Sequence, residues 1–464
     1  MNIRKNIGIC SALIILIITA LMPVPYGLTL EGKNTIGITL FFLVLLVTEA
    51  IPLAVSSLLT IGLIPIFNVS ERFEGAVLGF AHPVIFFIIA SFGIAGAIMN
   101  TPITRRILFA LLKKAGGRIE TVLLAMMITT AVTSFFISNI PTCAIMMSIA
   151  LEFINSIEDS DAKRSIGKSF MIAIPVATMI GGIATPASSS LNLLAIGLLE
   201  QNAGVTITFV QWMAIGIPLV IVFIPFAWFL MIKVYKPAQI NLKKLKLYMD
   251  IIRVNERVGK KEAFVISIMV IMLILWILSS WVRGIEIFTV TLIGCVIFLL
   301  PGINILAWDK FLDDINWNII FISGTTLSLA HALVANDVSN WMVNNLYPAN
   351  LLLSTNILVG FAAVITFIML LIITSAPALI TVLAGPFASI ALANGISSAY
   401  LIIVLAFCAC NCYLFPLDTV QLLTYSKGYY RMTDMCKSTI FLQIALIIIL
   451  AFWIPFMGGI MNLK

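Results

Sequence analysis

The sequence predicts an all-α integral membrane protein of about eleven transmembrane helices plus two re-entrant hairpins. Three observations lead there. The 464 residues are 61% hydrophobic and only 10% charged, where a soluble chain is nearer ~45–50% apolar and about 25% charged. Apolar stretches long enough to span a bilayer recur from end to end. Basic residues gather at Arg4–Lys5, Arg105–Arg118, Lys163–Lys168, Lys233–Lys261 and Lys427–Lys437, and such clusters mark cytoplasmic span ends. A chain with mean hydropathy +1.14 cannot cover itself with polar surface, so water-soluble classes are excluded.

The elements follow in order. Arg4 and Lys5 precede an apolar run from Ile7 to Leu21, read as a retained first transmembrane helix within residues 1–33. Spans near 34–50, 51–68 and 80–100 bring the chain to the inside at Arg105. The apolar segment 121–156 is basic at both flanks, so it enters and leaves on one side as a re-entrant hairpin. The other reading, a normal span, strands one basic cluster outside. Spans near 168–199 and 207–232 reach a cytoplasmic linker at 236–262. The second half repeats the scheme: spans near 263–282, 286–303 and 317–346, a hairpin near 353–392, then spans near 398–427 and 438–459. Five spans and one hairpin per half, an odd span number, make residues 263–464 an inverted copy of 34–235. That is the plan of secondary transporters, whose substrate sits at mid-membrane between repeats. The N-terminus is then cytoplasmic and the C-terminus extracytoplasmic, in a multi-pass protein of the cell membrane.

Two segments per half break helical rules. The first hairpin carries Ser134, Ser138, Asn139, Pro141 and Thr142; the span 168–199 carries Gly181, Gly182, Thr185, Pro186, Ser188, Ser189, Ser190 and Asn192. In the second half, Thr374-Ser375-Ala376-Pro377 and Phe415-Pro416-Leu417-Asp418-Thr419 lie at matching places. Proline removes a helical hydrogen bond and clashes with the preceding turn. Unwound backbone at membrane depth persists only where protein buries it or it lines a cavity. There its carbonyls can hold a cation and half-helix N-termini can face an anion. Candidate substrate ligands are Ser138, Asn139, Thr142, Ser188, Ser189, Asn192, Thr374, Ser375 and Thr419.

At these residues the chain resembles the divalent anion–sodium symporter family, carriers of dicarboxylates, citrate or sulfate. Thr48-Glu49-Ala50-Ile51-Pro52-Leu53 is similar to its T-E-A-[IL]-P-[LI] signature, and Ser138-Asn139 to the start of its S-N-T hairpin motif. Gly181 to Asn192 is similar to G-G-x-A-T-x-x-G-T-P-P-N at Gly181, Gly182, Ala184, Thr185 and Asn192. Trp317, Gly324 and Leu327 match a W-x6-G-x-x-L stretch, and Gly428-Tyr429 with Asp434-Met435 a late G-Y…D-M pattern. The resemblance implies an elevator-type carrier, commonly a homodimer, with sodium as coupling ion. It implies a first sodium site at Ser134, Ser138, Asn139 and Gly182. The chain departs from the family where S-N-T ends in Ile140, and where T-P-P-N becomes Ser189-Ser190-Leu191-Asn192. The second S-N-T has no Asn, and the second T-P-P-N is Thr419-Val420-Gln421-Leu422.

Asp418 stands out, because a carboxylate at the bilayer centre costs roughly 2.5–3.5 kcal/mol on insertion scales. Two roles stand open: a cation or proton site replacing the weakened second sodium site, or a cap on broken backbone. Glu49 is read as a capping residue, and His82 and His331 as hydrogen-bonded helix residues. The cysteines, including Cys408, Cys410 and Cys412, are read as packing residues. No P-loop, organic cofactor or nucleic-acid partner is expected. An enzyme needs convergent titratable groups, and few exist here. The expected function is sodium-coupled transport of small di- or tricarboxylate anions. The alternatives are a carboxylate exchanger, a proton-coupled anion carrier or a sodium/proton antiporter.

Overall fold

The computed structural model describes residues 3–114, 118–239, 258–338, 341, 345, 353–373 and 375–463. Most of the basic linker therefore lies outside the described residues, as do the end of the expected span 317–346 and Thr374. The described chain is helical, without strands. Its first half runs α1 (Ile3–Leu21), α2 (Leu30–Thr48), α3 (Leu53–Ile66), α4 (Phe73–Ala76), a 3-10 turn (Leu78–Ala81), α5 (Pro83–Met99), α6 (Ile103–Leu112), α7 (Ile119–Ser134), α8 (Asn139–Asn155), α9 (Ser160–Gly181), α10 (Ser190–Ala203) and α11 (Phe209–Tyr235). The second half runs α12 (Lys260–Leu278), α13 (Ile287–Leu299), α14 (Trp308–Asp314), α15 (Trp317–Ala335), α16 (Thr355–Ile372), α17 (Ala376–Ala393), α18 (Ser398–Cys410), α19 (Thr419–Tyr425) and α20 (Met432–Met461). Seven described helices are long and apolar enough to cross a membrane, or eight if the bent pair α5–α6 counts as one.

Helix stops follow local chemistry. Helix α9 ends at Gly181, and the chain resumes through Pro186 at the first position of a short 3-10 turn. Ser189 then caps α10 by accepting from the Leu191 amide. Pro377 occupies the first turn of α17, where a missing N–H costs nothing. A bend absent from the sequence reading separates α5 from α6: the two meet at 58°.

Burial sorts the helices. From Ile166 to Gly181 every residue of α9 except Lys168 is buried, and α18 is buried along nearly its whole length. A helix apolar on all sides belongs inside. Helices α1, α12, α13, α16 and α20 instead expose Ile14, Ile18, Ile271, Ile293, Ile368, Ile448 and Phe452. So much apolar surface is unusual on a soluble monomer and suits a surround of lipid.

The centre is cross-woven. Helix α10 packs on α17 and α18 of the second half, while α19 packs on α8 and α9 of the first. Gly79 marks another close approach, since a Cβ there would lie 2.2 Å from the Gly324 carbonyl oxygen. Only glycine lets the 3-10 turn reach α15 this closely.

Charged residues tie element ends together. Asp434 accepts from Lys168 at 3.0 Å and Lys437 at 3.3 Å, and Tyr235 donates to the Asp434 carbonyl at 2.6 Å. Arg105 meets Glu152 at 2.6 Å. Arg106 binds the buried Glu262 through two nitrogens, at 2.6 and 2.8 Å, clamping α6 to α12. Replacing Arg106 with Ala leaves that carboxylate unpaired. The expected loss is about 2 kcal/mol, below the ~3–5 kcal/mol of a fully buried pair because the guanidinium is partly exposed. A thermal unfolding midpoint in detergent equal to wild type would contradict this.

Candidate functional site

Helices α7 and α8 form a hairpin whose turn spans Phe135 to Ser138. Pro141 sits in the first turn of α8, where its missing N–H breaks no helical bond. At the turn the buried Ser134 hydroxyl lies 3.0 Å from Asn139 Oδ1 and 3.0 Å from the Thr178 carbonyl. One hydroxyl proton cannot serve both acceptors. Two side-chain oxygens and a backbone carbonyl therefore converge at the turn.

Gly182 backs this turn closely. A Cβ on Gly182 would lie 2.4 Å from Asn139 Oδ1. The unwound chain between α9 and α10 is closed by side chains of its own. Asn192 Nδ2 donates to the carbonyls of Gly182 at 2.8 Å and Thr185 at 3.0 Å. Ser188 Oγ lies 2.7 Å from the first and 2.5 Å from the second. Thr185 ties the loop to the hairpin by donating to the Phe135 carbonyl at 2.8 Å.

The second break lies between α18 and α19. Gln421 closes it: its amide donates to the Cys412 carbonyl, and its Oε1 accepts from the amides of Leu417 at 3.1 Å and Asp418 at 3.4 Å. Asp418 is the N-cap of α19, accepting from the Val420 amide at 2.9 Å within a capping box. The two breaks touch across the halves. Cys410 Sγ lies 3.4 Å from Asn192 Oδ1 and 3.6 Å from Ser189 Oγ, and Cys143 donates to the Val420 carbonyl at 3.3 Å.

One cavity of about 510 Å³ joins these parts. Ser138, Asn139, Ser189, Ser375, Asp418 and Thr419 line it. Thr142, Ser188 and Asn192 do not line it; they bond backbone carbonyls behind its wall. Ser134 and Gly182 stand in the same second layer. Polar wall residues that the sequence reading did not single out as ligands include Asn316, Asn318 and Cys410. Asn318 accepts from the Ala54 amide at 3.3 Å, a partner 264 residues away that no local pattern reveals. Glu49, the left-handed C-cap of α2 at φ 48°, also reaches the cavity. His82 caps α5 by accepting from Val84, while His331 is exposed. No group of three His, Cys, Asp or Glu able to hold a metal exists among the described residues.

Comparison with known proteins places this geometry. The model of the sodium:sulfate symporter transmembrane region matches residues 4–461. The sodium-dependent dicarboxylate transporter SdcS of Staphylococcus saprophyticus is 26% identical over 98% of this chain and 92% of its own. The protein of the same name from Staphylococcus aureus is 27% identical over 74% of this chain and 70% of its own. Among solved structures, the YdaH transporter of Alcanivorax borkumensis aligns with a TM-score of 0.59 at 12% identity, covering 99% of this chain and 98% of that one. MtrF of Neisseria gonorrhoeae, from a study of antimetabolite efflux pumps, aligns at 0.58 and 13% identity over 98% and 94%. At these identities the structures speak for the fold alone.

Two variants test the architecture. Asn192→Ala removes two donors from buried carbonyls, and each lost bond of this kind costs about 1–3 kcal/mol. The surviving Ser188 hydroxyl limits the loss, so a lowered unfolding midpoint with a folded chain is expected. Gly182→Ala pushes the Asn139 amide off the turn and should abolish ligand-induced thermal stabilisation. An unshifted response in that variant would contradict the packing described.

Proposed function

The chain belongs to the sodium:sulfate symporter family, and we propose from that premise that it moves small di- or tricarboxylate anions across the membrane, coupled to sodium. It is a transporter and not an enzyme. The observation that carries the sodium coupling is the oxygen-rich first turn. Ser134 Oγ, Asn139 Oδ1 and the Thr178 carbonyl converge, with the Ser134 hydroxyl 3.0 Å from each of the other two. An all-oxygen donor set suits a hard cation. Ser138 and the Gly182 backbone complete this sodium site. The names of the curated relatives, sodium-dependent dicarboxylate transporters, support the same coupling and substrate class.

The substrate sits in the cavity against Ser138, Asn139, Ser189, Ser375 and Thr419. Thr374 belongs to the same tip in this reading. Thr142, Ser188 and Asn192 serve it indirectly by holding the unwound backbone in place. The second tip, Ser375-Ala376-Pro377, offers no counterpart of the Asn139 amide. Asp418 then supplies a negative charge open to a positive group, either a coupling cation or proton or a charge borne by the substrate. The two halves are inverted repeats with re-entrant hairpins at 121–156 and 353–392. The cross-packing of α10 on α17 and of α19 on α8 supports this. Both hairpins and both broken helices move together, elevator-fashion, in a homodimer. The cavity wall includes Asn316 and Asn318, at the start of α15 and a few residues after Lys310 of α14. With Lys and Arg on the cytoplasmic side, this is the inward-facing form. The N-terminus is cytoplasmic and the C-terminus extracytoplasmic.

Uptake of labelled succinate, citrate and sulfate into proteoliposomes tests the proposal. Each anion is driven by a sodium gradient, a proton gradient or internal unlabelled anion. Sodium-driven uptake is expected, and uptake requiring only internal anion would replace coupling with exchange. Ser134→Ala should raise the sodium concentration for half-maximal uptake about tenfold, the loss of one ligand bond. Its maximal rate in saturating sodium should persist.

A further inference from the structure

The charge lining the cavity does not match a plain dianion. Its two carboxylates are Asp418 and Glu49; among the described residues no Lys, Arg or His lines it. No basic side chain among the described residues pairs with Asp418. Backbone donors at the start of α19 hold its carboxylate in place. Around the same cavity lie the N-caps of three long helices: Ser138 of α8, Ser189 of α10 and Ser375 of α17. Helix N-termini present unpaired N–H groups and partial positive charge, which attract carboxylates. The wall thus combines anion-binding helix ends with a carboxylate. A dicarboxylate whose charge lies about 5 Å from Asp418 loses roughly a hundredfold in affinity at an effective dielectric near 20.

We propose that the carried dicarboxylate bears an ammonium group that docks on Asp418, which makes the substrate an amino-dicarboxylate. Its carboxylates face the hairpin tips and the start of α10; its ammonium supplies the positive charge that Asp418 receives. This rests on the reading of the cavity as the substrate site and narrows the class carried there. A charge-assisted bond to the ammonium is the recognition element. The same carboxylate repels the unsubstituted diacid, so selection works by attraction and by repulsion.

L-aspartate and succinate differ by one amino group and make the test pair. Both are measured as labelled substrates in proteoliposomes holding the full chain under an inward sodium gradient. The wild type should take up aspartate with kcat/KM at least about tenfold above succinate. Asp418→Asn keeps a good N-cap side chain and should invert the preference, losing aspartate and gaining succinate. Asp418→Glu should keep the aspartate preference with a raised KM. A wild type that prefers succinate, with Asp418→Asn abolishing its uptake, overturns the proposal and makes Asp418 a site for the coupling cation; the sodium-coupled carrier reading then stands. Unchanged selectivity in Asp418→Asn also overturns it. Sodium-driven uptake of neither compound, nor of citrate or sulfate, overturns the carrier reading and this proposal together. Should Asp418→Asn fail to fold, competition against wild-type uptake by glutamate and glutarate decides. Stronger inhibition by glutarate counts against the proposal.

Discussion

Hydrocarbon offers no hydrogen bonds, so chain that unwinds inside a bilayer must find partners within the protein. The stretch between α9 and α10 meets this demand with two side chains. Asn192 and Ser188 both reach the carbonyls of Gly182 and Thr185. Thr185 passes the restraint to Phe135 in the neighbouring hairpin. Everything at the cavity depends on this closure. Gly182 can lie against Asn139 only while its own carbonyl is held from behind, and Asn139 faces the cavity only while Gly182 leaves it room.

The second break reaches the same end by different residues. There one long amide, Gln421, bridges the gap from the Cys412 carbonyl to the amides of Leu417 and Asp418. The two closures are chemically unlike although their positions correspond. The first leaves three oxygens clustered at a hairpin turn. The second leaves a carboxylate on the cavity wall. A cluster of oxygens and a carboxylate are thus divided between the halves.

Much of this was legible in the sequence for direct reasons. Composition excluded a soluble fold. Pro141, Pro186 and Pro416 flagged interrupted helices because proline cannot donate to the ladder. Asp418 declared itself by being a carboxylate in an apolar segment, and its cap on α19 was one of the two roles weighed for it. What remained hidden depends on contacts between distant residues. The 58° bend falls at Asn100-Thr101-Pro102, and the direction α6 then takes is held by Arg106 on Glu262, a contact no local pattern reveals. Cys410 read as filler, yet it stands against Ser189 and Asn192, more than two hundred residues away. Thr142 looked like a ligand from its place beside Ser138 and Asn139. One further turn along α8 takes it behind the wall instead.

The absence of any basic residue from the cavity wall among the described residues also concerns the membrane potential. When nothing is bound, the wall carries the fixed charge of Asp418 without a counter-ion of its own. Any translation of that wall through the field does electrical work, about 2.3 kcal/mol per elementary charge per 100 mV for a full crossing. If the wall translates as proposed above, an interior-negative potential pulls an uncompensated carboxylate on it toward the outer surface. A positive charge bound beside Asp418 would cancel that pull. The resting voltage would then act as a return spring, its stiffness set by the charge the wall carries.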